Sequence, residues 1–132
     1  MNRIPHRALG VLALAVAPMA VPVQASATGS IVLTNADSAR SVEAVAGHDI
    51  EVRLTSYREN GLTYTWQLPE TSDSAKLPRT SDNVNPAGHA AAVFHADGPG
   101  DSVITVHRTC RPDPDRNCPA VMHPWKAAVR VK

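Results

Sequence analysis

The sequence predicts an all-β chain, an immunoglobulin-like β-sandwich of about seven short strands. Three observations predict it. Two runs alternate apolar and polar residues with a period of two, Gly, Pro and Asn cluster between the runs, and no stretch sustains a helical period.

Ahead of the strands lies a segment that addresses the protein rather than folding with it. Arg3 and Arg7 sit in a leader without acidic residues, residues 8–17 form an uninterrupted apolar run, and Ala25-Ser26-Ala27 has the A-x-A form of a cleavage site. The run is about half of the ~20 apolar residues that a bilayer span requires. Pro18 and Pro22 interrupt its continuation. Residues 1–27 are therefore expected to be a secretory signal peptide and residues 28–132 the mature domain. No Cys near the cleavage site is available to accept a lipid, so the product is expected free in the periplasm or outside the cell, with no membrane association after cleavage. Removing Arg3 and Arg7 from 13 Lys+Arg leaves 11 against 12 Asp+Glu. A nearly neutral chain without a basic patch excludes nucleic acid as a partner.

The expected strands follow in order. Residues 31–34 and 41–45 are short apolar-rich candidates. Residues 49–55 alternate cleanly, with Ile50, Val52 and Leu54 facing the core and Glu51, Arg53 and Thr55 facing solvent. Residues 62–68 repeat the pattern, with Leu62, Tyr64, Trp66 and Leu68 inward and Thr63, Thr65 and Gln67 outward; the β-branched and aromatic content supports it. Residues 90–95, 103–109 and 127–131 complete the set. Turn residues separate the runs at Ala46-Gly47-His48, Glu59-Asn60-Gly61, Asn85-Pro86-Ala87-Gly88 and Asp97-Gly98-Pro99-Gly100.

Cys110 and Cys118 enclose a polar, proline-rich heptad. In an oxidising compartment the default is a disulfide, which by loop-closure entropy contributes about 2 to 3 kcal/mol at this spacing. The strand order also sorts the connections. Residues 57–61, 83–88 and 111–124 are expected to share one end of the sandwich, with the turns at Gly47 and at Gly98-Pro99-Gly100 at the other.

On these residues the chain resembles the chagasin-type inhibitors of papain-like cysteine proteases, immunoglobulin-like domains whose three loops carry N-P-T-T-G, G-x-G-G and R-P-W patterns. The stretch from Ala46 through Leu54 looks like the family's strand before the first loop, and it runs into Ser56-Tyr57-Arg58-Glu59-Asn60-Gly61, which keeps the last glycine. The second pattern falls on Asn85-Pro86-Ala87-Gly88, again keeping the glycine. The third falls on Arg111-Pro112, which lacks the following Trp; Trp125, across the disulfide loop, is retained as a candidate aromatic anchor. The resemblance spans residues 41–132. It implies a monomeric, reversible, non-covalent inhibitor that wedges three loops into a protease cleft, with Tyr57, Arg58, Glu59, Asn60, Gly61, Asn85, Pro86, Gly88, Arg111, Pro112 and Trp125 as contact candidates and no cofactor.

Other readings stand beside it. Gly61 and Gly88 have a purely conformational use at positive φ, and Tyr64 and Trp66 are assigned to the core. An exported binding module for another protein or ligand fits the same fold. His107, Cys110, Cys118 and His123 form an H-x2-C-x7-C-x4-H set with the donors of a zinc site, and Met122-His123 with His89 or His95 offers copper ligands. Against an enzyme, the sequence has no G-x-S-x-G, H-E-x-x-H or phosphate-cradling Gly loop, and a bonded Cys110 is no nucleophile.

Overall fold

The computed structural model describes residues 29–132. The segment read as a signal peptide lies outside the described residues.

Alternation along the strands builds a two-layer sandwich. One layer orders β1 (Ser30–Leu33), β3 (Asp49–Leu54), β8 (Ala90–His95) and β7 (Arg79–Val84); the other orders β2 (Arg40–Ala44), β11 (Trp125–Val131), β9 (Gly100–Val106) and β6 (Glu70–Thr71). Ile50, Val52 and Leu54 of β3 meet Ala90, Ala92 and Phe94 of β8 on one inner face, and Ile104, Val106, Ala127, Val129 and Val131 supply the other. Their alternate neighbours point outward, as period-two burial requires. Alanines fill several inner positions, and Phe94 is the chain's one phenylalanine, so the core is thin.

The N-terminal strand serves both layers. β1 pairs parallel with β3, and after a 3₁₀ turn at Asn35–Asp37 the chain crosses over and β2 pairs parallel with β11. Polar side chains fasten this crossover. Asn35 Nδ2 donates to the Thr55 carbonyl at 2.8 Å, and the Thr55 N–H donates back to Asn35 Oδ1 at 2.8 Å.

More strands exist than the pattern predicted, and two of the additions have a plain physical origin. The run expected at 103–109 divides at His107: β9 pairs with β11 as far as Val106, after which β10 (Arg108–Pro112) leaves that layer and pairs with β5 (Leu62–Trp66). β7 is an edge strand exposed along its whole length, so its residues carry no alternation to read.

β10, β5 and β4 (Tyr57–Glu59) form a third, three-stranded sheet that continues past the last β9–β11 pair, Val106 with Trp125. At the other end of the sandwich the Gly47 N–H donates to the Ala96 carbonyl at 2.8 Å and the Ala96 N–H to the His48 carbonyl at 2.9 Å. The turns expected there do meet there.

Candidate functional site

The three-stranded sheet is the part of the molecule around which the expected loops gather. Residues 57–61 are not an open loop: Tyr57–Glu59 is strand β4, paired Tyr57 to Tyr64 and Glu59 to Leu62, and only Asn60 and Gly61 make the turn. Both central residues have positive φ, 51° and 76°, the conformation a two-residue hairpin turn requires to match strand twist. The correction moves Tyr57 away from the tip. It stacks on Tyr64 with ring centroids 4.8 Å apart, and its hydroxyl accepts a hydrogen bond from Arg108 Nη1 at 2.6 Å. Arg58 and Glu59 remain exposed beside the turn.

The second turn is set by its own side chains. Asn85 Oδ1 accepts from the Ala87 and His89 N–H groups at 3.0 and 3.1 Å, leaving Pro86 exposed at the apex. Gly88 is buried against β5, where its carbonyl accepts from the Trp66 N–H at 2.9 Å. The next residue ties the turn to the connection ahead of β4, since His89 Nδ1 accepts the Ser56 N–H at 3.0 Å.

Gly88 is required twice over. Its φ is +88°, and a Cβ there would lie 2.3 Å from Thr65 Cγ2 and 2.6 Å from Thr65 Cβ. Gly88→Ala is therefore expected to push the turn off β5 and to cost about 1 to 3 kcal/mol, from left-handed backbone strain plus overpacking. Urea denaturation with an unchanged midpoint for the variant would reject this.

Arg111 and Pro112 end β10 opposite Thr63 and Leu62, which brings the third connection beside the first. The Asp113 N–H donates to the Gly61 carbonyl at 2.9 Å, and Arg58 Nη2 donates to Asp113 Oδ2 at 2.6 Å. The hydrogen bond from Arg58 holds the Asp113 carboxyl below its ordinary value of 3.8, with Arg116 and Arg111 adding attraction, and Asp113 in turn raises Arg58. A carboxylate with a lowered folded pKa contributes stability above its unfolded pKa and loses it as pH falls through the folded one. The stability difference between wild type and Asp113→Asn is thus expected to stay constant from about pH 5 to about pH 8 and to vanish under stronger acid. The pair is exposed and the difference small; a difference that grows on acidification would contradict the clamp.

Cys110 and Cys118 are bonded, S–S 2.07 Å. The zinc alternative loses its two thiolates. The copper alternative is not assembled either: His95 lies at the far end of β8 with Nδ1 2.7 Å from Asp49 Oδ1, while His89 supports the second turn.

Trp125 requires the largest correction. It is 2% exposed, within the core, and its Nε1 donates to the Thr34 carbonyl at 3.1 Å, so it has no surface to offer a partner. The residue that unites the site is one the sequence reading passed over, Arg108. Its guanidinium lies 5.5 Å from the Tyr64 ring centroid and 5.7 Å from that of Trp66, donates to the Tyr57 hydroxyl, and reaches the His123 carbonyl at 3.1 Å through Nη2. It thereby ties β4, β5 and the returning end of the third loop together. The alternation Ile104, Val106, Arg108 along β9 and β10 was the available signal.

Register separates the sheet into two faces. Leu62, Tyr64, Trp66, Arg108 and Cys110 share one, over which the disulfide and residue 123 hold the third loop; Arg58, Thr63, Thr65, Thr109 and Arg111 share the other, with Gly88 seated at Thr65. The hairpin turn at Asn60-Gly61 and the Pro112-Asp113 corner stand between the two flanks. The arrangement is a narrow wedge, tied internally by hydrogen bonds, a disulfide and aromatic stacking.

No protein-family model matches the chain, and no curated protein is similar to it in sequence. Among solved structures, the crystal structure of a cysteine protease inhibitor from Entamoeba histolytica superposes with a TM-score of 0.57 at 12% identity, covering 80% of this chain and 97% of its own. The solution structure of amebosin gives a TM-score of 0.41 at 14% identity, covering 78% of this chain and 98% of its own. The first of these establishes a shared fold.

Proposed function

We propose that the mature domain is a reversible, non-covalent protein inhibitor of papain-like cysteine proteases, exported by its leader and acting as a monomer. The observation that carries the reading is the gathering of three turns, at Asn60-Gly61, Asn85 to Gly88 and Pro112-Asp113, around one projecting sheet. A wedge of this kind, entering a cleft, covers the reacting groups without presenting a bond in register for cleavage. The fold it shares with a cysteine protease inhibitor supports the same reading.

The physical economy is that of a preformed binder. Hydrogen bonds from Asp113 to Gly61 and from Arg58 to Asp113, with the Cys110–Cys118 bond, restrict the tip before any partner arrives, so little chain entropy remains to be lost on binding. Contact is assigned to Arg58, Glu59, Asn60, Gly61, Asn85, Pro86, Arg111 and Pro112. Gly88 and Tyr57 support them from beneath.

The test is a titration of papain and of a cathepsin-like enzyme with the mature domain. The expected result is a reversible loss of activity with the inhibitor recovered uncut. Full activity of several such proteases at micromolar domain would overturn the proposal.

A further inference from the structure

The third loop contains an apolar run that neither the core nor the turn contacts account for. Pro119, Ala120 and Val121 are exposed and Met122 is half-buried; Val121 is 71% exposed, the most open of the large hydrophobic residues described. Val84 and Val103, also exposed, stand alone on strands, and Val45 has only the small Ala46 beside it. Single apolar residues on a surface are ordinary, whereas consecutive exposed ones oppose solubility unless something covers them.

The run is also held in place. Cys118 is bonded to Cys110 on its near side, and on its far side the His123 carbonyl accepts from Arg108 Nη2 while Trp125 is locked into the core. Pro119 and Pro124 fix φ and remove two backbone donors. Both anchors, Cys110 and Arg108, lie on the Tyr64 face of the sheet, so the run flanks the wedge on the side opposite Gly88. That other face is polar, with Arg58, Thr63 and Arg111 in one cross-strand row. The two flanks of the wedge differ in chemistry.

Resting on the inhibitor reading above, we infer that residues 119–122 are a preformed apolar strip that seats against a hydrophobic wall of the protease cleft, with Val121 as its anchor. The strip belongs to the same connection as Pro112 and Asp113, whose backbone meets the Asn60-Gly61 turn, so it is carried by one of the elements that enter the cleft. A wall that takes Val121 has to be apolar, because a carboxylate or ammonium there would be desolvated without a partner.

The experiment compares wild type, Val121→Asp and Val121→Leu as inhibitors of papain and a cathepsin-like enzyme, with thermal unfolding and sedimentation of each. Val121→Asp is expected to weaken inhibition about ten- to hundredfold while leaving the unfolding midpoint unchanged, and Val121→Leu to inhibit like wild type. Equal inhibition by Val121→Asp would overturn the strip and leave the inhibitor reading standing. So would a wild-type dimer that Val121→Asp converts to an equally inhibitory monomer. Failure of wild type to inhibit any of these enzymes would remove the inhibitor reading itself, and the strip with it.

Discussion

Replacing Arg108 by alanine is expected to destabilise the domain by about 2 to 3 kcal/mol, because a part-buried and an exposed hydrogen bond from a charged donor are lost together with the contact of a cation with two rings. The Tyr57 hydroxyl and the His123 carbonyl lose their donor, and Tyr64 and Trp66 lose the plane that covers them. The guanidinium Nε is buried without a partner among the described residues, so part of the gain is already offset in the wild type. Arg108→Lys is not a rescue: an ammonium cannot reach two acceptors in a fixed fork while keeping its charge within about 6 Å of both ring centroids. Under the proposed function, inhibition is expected to fall about ten- to hundredfold in both variants, since side chains at the wedge then have to be ordered on binding. Urea denaturation and inhibitor titration measure the two effects. A wild-type unfolding midpoint for Arg108→Ala would show that the three segments hold together without it.

The sandwich was legible wherever a strand has one wet and one dry face. β3, β5 and β8 carry that alternation in the sequence because burial imposed it, and their observed limits fall within two residues of the expected ones. β7 has no dry face and is held to β8 mainly by backbone pairing, with Thr80 Oγ1 donating to the Val93 carbonyl at 3.2 Å, which leaves no periodic trace in residue type. Tyr57 was misplaced for a related reason. Beside Arg58 and Glu59 it reads as a polar loop, yet Asn60-Gly61 is the two-residue turn signal, and counting back from it pairs Tyr57 with Tyr64.

Trp125 could have been placed correctly from the sequence. Ala127, Val129 and Val131 face inward, and carrying that parity back by two residues puts Trp125 on the same face. The same extension from Ile104 and Val106 points Arg108 inward. A charged residue there looks like the end of a buried strand, when in this protein it is where one sheet hands over to another and needs a group able to satisfy both. What no sequence pattern supplies is the meeting of Gly61 with Asp113 and of Gly88 with Thr65, because these contacts join residues far apart in the chain through backbone atoms and a missing side chain.

The double substitution Cys110→Ser, Cys118→Ser is expected to cost about 2 to 3 kcal/mol, the loop-closure entropy returned to the unfolded chain when a bridge between residues eight apart is removed. The double variant is the informative one, since a single substitution leaves a thiol able to pair with another molecule or with the protease. In the folded state the third loop would keep its outer anchors, Asp113 on Gly61 and His123 on Arg108, and lose the one between them. Residues 119–122 would then sample many positions and, under the proposed function, binding would have to order them, weakening inhibition about tenfold or more. A papain-like enzyme is kept active by reductant that preserves its thiolate, and the same reductant acts on a surface disulfide. Wild-type inhibition should accordingly decline toward that of the double variant as dithiol concentration rises, whereas the double variant should not respond to dithiol at all. Loss of stability with undiminished affinity would separate the two roles of the bridge and assign it to the fold alone.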